Sequence, residues 1–180
     1  PPGRRRRREQ APLLGRDSEV ATLEQVVAMA ARKSRAHLVL LSGEAGVGKS
    51  RLAGELGLRA VRDFRAEVLT GQCVPYGDAN VFAAVAEALR RACDRDGAIS
   101  VGVETDLRAR VVERVSALLE VPAEAAECGR MVEGLLHLMD GVTRPGVDPT
   151  RARDDALRST IAFFEALTAN GPLVLTLSDL

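Results

Sequence analysis

Gly43-Glu44-Ala45-Gly46-Val47-Gly48-Lys49-Ser50 decides how the rest of this 180-residue chain is read. It fits G-x-x-x-x-G-K-[ST] at every fixed position. Such a match arises by chance on the order of once in a few hundred chains of this length. It is rarer here, because the chain has two lysines, Lys33 and Lys49, against 23 arginines. The flanks agree with the pattern. The apolar run HLVLLS at 37–42 reads as a buried strand. Residues 50–61 are spaced as a helix, with Ala53, Leu56 and Ala60 inward. Gly54 and Gly57 cost such a helix about 1 kcal/mol each relative to alanine, which implies close packing at both.

The residue types suit the binding of a phosphate chain. Several backbone N–H groups must point inward at phosphate oxygens, and Gly43, Gly46 and Gly48 let the chain wrap that tightly. Glu44, Ala45 and Val47 supply the intervening amides, and the helix opening near Lys49 adds its positive end. Lys49 brings a mobile charge to the β- and γ-phosphates, as a catalytic group. Ser50 offers a hydroxyl to Mg2+. Arg51 follows directly in the same first turn. The cofactors this set calls for are ATP and Mg2+. The second half of such a site is an acidic residue ending an apolar strand, and LVLTLSD at 173–179 supplies Asp179. Asp179 is therefore expected to ligate Mg2+ or to orient the attacking water. Ser178 stands where a second carboxylate would act as base. A hydroxyl cannot accept a proton at neutral pH, so turnover is expected either to be slow or to depend on residues beyond Leu180.

Working outward, Gly15-Arg16-Asp17 leads into a helix with Val20, Leu23, Val27 and Ala30 at helical spacing and Asp17 or Ser18 as its N-cap. Residues 67–70 form a second short strand. From 80 to 170 the pattern is helical, with four stripes. They are Phe82, Val85, Leu89 and Ala92; then Leu107, Val111, Val115 and Leu118. A shorter one has Val132, Leu135, Leu136 and Met139. The last, Leu157, Ile161, Phe164 and Thr168, starts at Asp154 and Asp155. Residues 141–150 read as plain loop. Asn170-Gly171-Pro172 stops the last helix. Apolar strands separated by helices predict an α/β fold with a parallel sheet covered on both faces.

These residues resemble a known family. Leu14-Gly15-Arg16-Asp17-Ser18-Glu19 is similar to the hhGRExE motif that precedes the phosphate loop in STAND-type and related AAA-like ATPases. Gly71-Gln72-Cys73-Val74-Pro75-Tyr76-Gly77-Asp78 resembles a segment in the ATPase domains of large LuxR-type transcription regulators and of multidomain adenylate/guanylate cyclases. Residues 172–180 resemble the Walker B segment of the same group. The resemblance runs from about Leu13 to Leu180. It implies a P-loop NTPase fold, three-layer αβα with a parallel sheet, incomplete, and with a helical insertion between the second strand and the Walker B strand. Residues 13–180 would be the N-terminal part of the ATPase domain, and 1–12 a basic Pro/Arg linker. Gly15 and Arg16 would lie near the base and sugar of the nucleotide. Tyr76 would pack structurally. The family's Walker A and Walker B strands flank a later strand that this chain stops before, so the segment alone is expected to be poorly soluble. The implied function is an ATP-binding, weakly ATP-hydrolysing switch in a larger bacterial signalling or transcription-regulatory protein. The alternatives are an ATPase module of a cyclase and a non-hydrolysing nucleotide-binding module. Its partners would be ATP/ADP, the remaining domains of the same polypeptide, and other copies of itself.

Composition narrows the alternatives. Apolar residues at 46% and charged residues at 28% exclude collagen-like and wholly disordered classes. The net charge of zero is the sum of a +4 arm, five arginines and Glu9 within 1–10, and a −4 body. That arm has no interleaved aromatic residue, so it is read as a linker rather than a nucleic-acid contact. Cys73, Cys93 and Cys128 form no CxxC pair and read as reduced thiols of a cytoplasmic protein. His37 and His137 have no partner constellation and read as structural. No apolar run approaches a membrane span.

Overall fold

The computed structural model describes residues 15–73, 82–94, 107–140 and 146–178. The basic arm at 1–12, Tyr76 and Asp179 lie outside the described residues. The first helix, α1 (Asp17–Lys33), carries Asp17 and Glu19 in its first turn and Arg32 and Lys33 in its last, each favourable to the helix dipole. Its N-cap residue is Arg16, with no side-chain cap, rather than Asp17 or Ser18. The Ser18 hydroxyl is turned instead to Glu19 Oε2, at 2.7 Å.

Next comes α2 (Lys49–Phe64), which ends at Arg65 in the left-handed conformation, φ 54°. Two residues later the chain enters β1 (Glu67–Gln72). It pairs in parallel with β2 (Leu173–Ser178), Glu67 opposite Leu173 and Gln72 opposite Ser178. The Cys73 amide donates to the Ser178 carbonyl at 2.9 Å and extends the ladder. Between the strands lie α3 (Ala83–Cys93), α4 (Leu107–Leu119), α5 (Ala126–Asp140) and α6 (Pro149–Leu167).

Alternation along the strands sorts the helices into two layers. On one face Val68 meets Gly57 of α2, and Val174 packs with Val27, Ala60 and Ala66. On the other, Leu69, Leu173 and Leu175 join the main core, where Leu89, Val111, Val115, Cys128, Leu135 and Phe163 are fully buried. The helices α3–α6 are therefore one layer, and α1 with α2 the other. α3 lies so close to β1 that a Cβ on Gly71 would run into the Ala84 carbonyl. Its buried face is correspondingly built from Ala84, Ala86, Ala88 and Ala92. At the end of β1 the Gln72 amide donates to Glu87 Oε2 at 2.6 Å, and Arg91 reaches both Thr70 Oγ1 and Glu87. The Gln72 amide is thereby taken out of pairing with another strand.

Several expectations are corrected. Residues 37–42 are not a strand: no ladder partner lies beside them among the described residues, and Leu38 and Leu40 are 98% and 80% exposed. Apolar character makes a segment fit for a sheet, but only a partner's backbone makes it a strand. The last helix begins at Pro149, not at Asp154 or Asp155. Asp148 Oδ1 caps it by accepting from the Arg151 amide at 2.9 Å, and proline suits its first position. Residues 146–150 are thus an initiation signal rather than plain loop. The buried stripe of α6 is Ala156, Thr160, Phe163 and Leu167, while Ile161 is 57% exposed. Thr160 fits the interior because its hydroxyl donates to the Ala156 carbonyl at 2.9 Å. On α2 the buried residues are Leu52, Gly57 and Ala60, with Ala53 and Leu56 half-buried. Close packing holds at Gly57 but not at Gly54, which has nothing within 4 Å of a Cβ position.

Alanine at these glycines separates packing from propensity. Gly71→Ala is expected to destabilise by about 1–3 kcal/mol through overpacking against α3. Gly54→Ala is expected to stabilise by about 1 kcal/mol, since the helix gains without a clash. Urea unfolding of the two variants measures both.

Candidate functional site

The site begins with a reversal of direction. The two-residue link at 65–66 joins α2 to β1, the Ala66 amide donates to the Ala60 carbonyl at 3.1 Å, and mid-helix Gly57 sits on Val68. α2 therefore runs antiparallel to β1, and its N-terminus points to the sheet edge where β1 and β2 end. In α/β sheets ligands bind outside this carboxyl edge. Ser178 closes β2 there, and Asp179 is the next residue in sequence.

Gly48 is the N-cap of α2, and no side chain caps the helix. The amides of Lys49 and Ser50 thus face outward with no intrahelical acceptor. Gly46 and Gly48 have φ of 80° and 95°, values that side chains resist and that curl the loop around its own amides. Lys49 Nζ donates to the Gly43 carbonyl at 2.9 Å and to the Glu44 carbonyl at 3.0 Å. Its ammonium is held across the loop, with a third N–H left to share. Ser50 is exposed in the first turn beside it, and Arg51 is exposed after it. Ala45 and Val47 complete the loop. An uncapped helix end, a curled backbone and a held ammonium fit a phosphate chain. Ser50 Oγ is the described residue that would meet its Mg2+. Among the described residues no group of three or more His, Cys, Asp or Glu side chains could hold a metal alone.

Arg16, next to Gly15, is brought to the loop across a gap in sequence. Arg16 Nη1 donates to Glu19 Oε1 at 2.7 Å, and Nη2 donates to the Val47 carbonyl at 3.3 Å. The hydrogen bonds from Arg16 and then Ser18 hold the Glu19 carboxyl well below its ordinary value of 4.5, at about 2. α1 is fixed to α2 by Val20 and Leu23 against Leu52 and by Arg59, which reaches Glu24 at 3.0 Å and Glu55 at 2.8 Å. Residue reasoning missed both Glu19 and Arg59. The signal for Arg59 was its i,i+4 spacing from Glu55. Glu19 carried a signal only as the last position of the quoted motif.

The other candidates lie away from the loop. His37 is exposed in the extended segment rather than on a strand, and His137 is half-buried on α5. Cys93 and Cys128 are buried and Cys73 half-buried, all as free thiols. Burial pushes the Cys93 thiol up to about 11, so it is protonated at neutral pH. No helix among the described residues is long and apolar enough to cross a membrane.

A phosphate loop opening a helix at the carboxyl edge of a parallel sheet defines the class of nucleotide-binding P-loop modules. Residues 12–180 match the family model of the AAA ATPase domain, and the chain belongs to that family. The family generally uses ATP and Mg2+. The chain is similar to an uncharacterized protein of Rhizobium meliloti (strain 1021), at 29% identity over 170 residues. That match covers 93% of this chain and 16% of the relative's own length. No solved structure matches the chain.

The hydrogen bond from Arg16 makes a prediction about Glu19. Its lowered value means that the native state gains from ionised Glu19 above about pH 4.5, and that this gain is lost as pH falls towards 2. Arg16→Ala is expected to return the carboxyl towards 4.5, as followed by a chemical-shift titration of Glu19.

Proposed function

We propose that residues 13–180 form the N-terminal part of an ATP-binding nucleotide-switch domain, weakly ATP-hydrolysing, in a larger signalling or transcription-regulatory protein of a bacterium. The observation that carries this reading is the uncapped first turn of α2 with Lys49 held across the glycine loop. Lys49 would neutralise the β- and γ-phosphates and carry the charge that develops on phosphoryl transfer. Ser50 and Asp179 would be the protein ligands of Mg2+, with Asp179 also orienting water. Gly43 to Ser50 and Arg51 would line the phosphates, and Gly15 the nucleoside end. ATP, ADP, the other domains of the same polypeptide and other copies of the chain would be its partners. The output could be DNA binding or cyclase activity.

Ser178 favours a second reading, a module that binds without turning over. It occupies the position before Asp179 where a general base would be needed, and its hydroxyl has no basicity at neutral pH.

Binding and turnover distinguish the two. Lys49→Ala is expected to weaken ATP binding about 10- to 100-fold, the size of a lost charge-assisted contact. Calorimetric titration measures it, and unchanged affinity would sink both readings. Asp179→Asn is expected to abolish phosphate release with less effect on binding. Tight binding by the unaltered chain with no phosphate release over hours selects the non-hydrolysing module.

A further inference from the structure

We propose that Glu19 is a positioning residue for the phosphate loop: it holds the Arg16 guanidinium so that this cation grips the loop tip through the Val47 carbonyl. The proposal rests on the reading of the loop as a nucleotide site. It gives Arg16 a role directed at the protein's own backbone rather than at a base or sugar.

The geometry is a relay of fixed parts. The backbone of Arg16 is set by its place as the N-cap of α1, its carbonyl accepting from the Val20 amide at 3.0 Å, and by Gly15 before it at φ 72°. Glu19 sits one turn on. Its Oε1 takes the Arg16 hydrogen bond at 2.7 Å, and its Oε2 takes the Ser18 hydroxyl at 2.7 Å, so both carboxylate oxygens are engaged. The planar guanidinium presents its other nitrogen to the Val47 carbonyl at 3.3 Å. Val47 lies between the two left-handed glycines, 46 and 48. In a trans peptide the carbonyl and the following N–H point in opposite directions. Gripping the Val47 carbonyl from the α1 side therefore turns the Gly48 N–H away from α1. Glu19 thus acts on the loop at second hand, by keeping Arg16 from swinging into solvent.

The test uses the full chain, two ligands and one ligand-free signal. ATP carries a nucleoside; inorganic tripolyphosphate carries only the phosphates. Glu19→Gln is expected to weaken both by the same factor, about three- to tenfold. It is expected to shift the Val47 methyl NMR signals in the ligand-free protein. Added to Arg16→Ala, it should weaken binding no further, since the two residues act as one unit. Arg16→Lys, which keeps the charge but loses the fork, should give the same readings and covers the case in which Glu19→Gln lowers Tm. A loss confined to ATP would place Arg16 on the nucleoside and overturn the proposal. So would Val47 methyl signals unchanged in both variants. Failure of the nucleotide reading would look different: Lys49→Ala would lose neither ligand, while the Val47 methyl signals would still report whether Glu19 and Arg16 hold the loop.

Discussion

Everything at the site depends on the reversal of α2 over the sheet. A left-handed residue at Arg65 ends the helix, and Ala66 sends the chain back as β1. Once α2 is antiparallel to both strands, its unpaired amides must emerge at the carboxyl edge. A capped helix there would satisfy its own N–H groups. An uncapped one, closed by Gly48, keeps them for a ligand. The need to hold phosphate therefore coincides with a local forfeiture of helix stability, since a good cap is worth about 1 kcal/mol.

The two layers differ in how they are held. The α3–α6 layer contains the largest apolar cluster, in which whole side chains such as Phe163 and Leu135 are sealed from water. The α1–α2 layer has two small clusters, Val20, Leu23 and Leu52, then Val27, Ala60 and Ala66. Partly buried Leu41, Leu56, Phe64 and Val174 pack against them, and the polar ties are Arg59 between Glu24 and Glu55 and Arg16 between Glu19 and the loop. Partly exposed ion pairs add little to stability but constrain direction. The phosphate loop thus stands on the thinner layer, where small changes in charge can move it without disturbing the main core.

Sequence legibility followed the same division. The phosphate loop is legible because the chemistry demands fixed residue types at fixed spacing. The strands read at 67–70 and 173–177 are legible as short segments between helices, the second of them apolar, and the ladder extends them to Gln72 and Ser178. The register of α6 was misread because Thr160 counts as polar in a pattern, although its hydroxyl is satisfied within its own helix. Its start was misread because Asp148-Pro149 looks like loop until the cap is seen. The contact of Arg16 with Val47 spans 31 positions and has no local signature at all. Asp179, read from the sequence as the metal ligand, lies outside the described residues.

The exposed run at 37–40, which pairs with no strand among the described residues, gives the Arg16 contact its weight. In a loop entered from a paired strand, the ladder itself would fix where the first glycine stands. Here the entry to Gly43 has no such support among the described residues, and Leu38 and Leu40 face solvent. The loop is then positioned by Leu41 packed against Val20, Leu23 and Leu52, by its covalent continuation into α2, by the Val47 amide donating to the Glu44 carbonyl at 3.5 Å, by the two hydrogen bonds from Lys49 to Gly43 and Glu44, and by the hydrogen bond from Arg16 to Val47. If the loop holds a phosphate chain as proposed, the Lys49 ammonium would share its three N–H donors between the ligand and the two loop carbonyls. The Arg16 hydrogen bond would then be a side-chain restraint on which the ligand makes no demand. A loop held on its outer side by Arg16 would keep its shape while Lys49 turned part of its donor capacity to the phosphates.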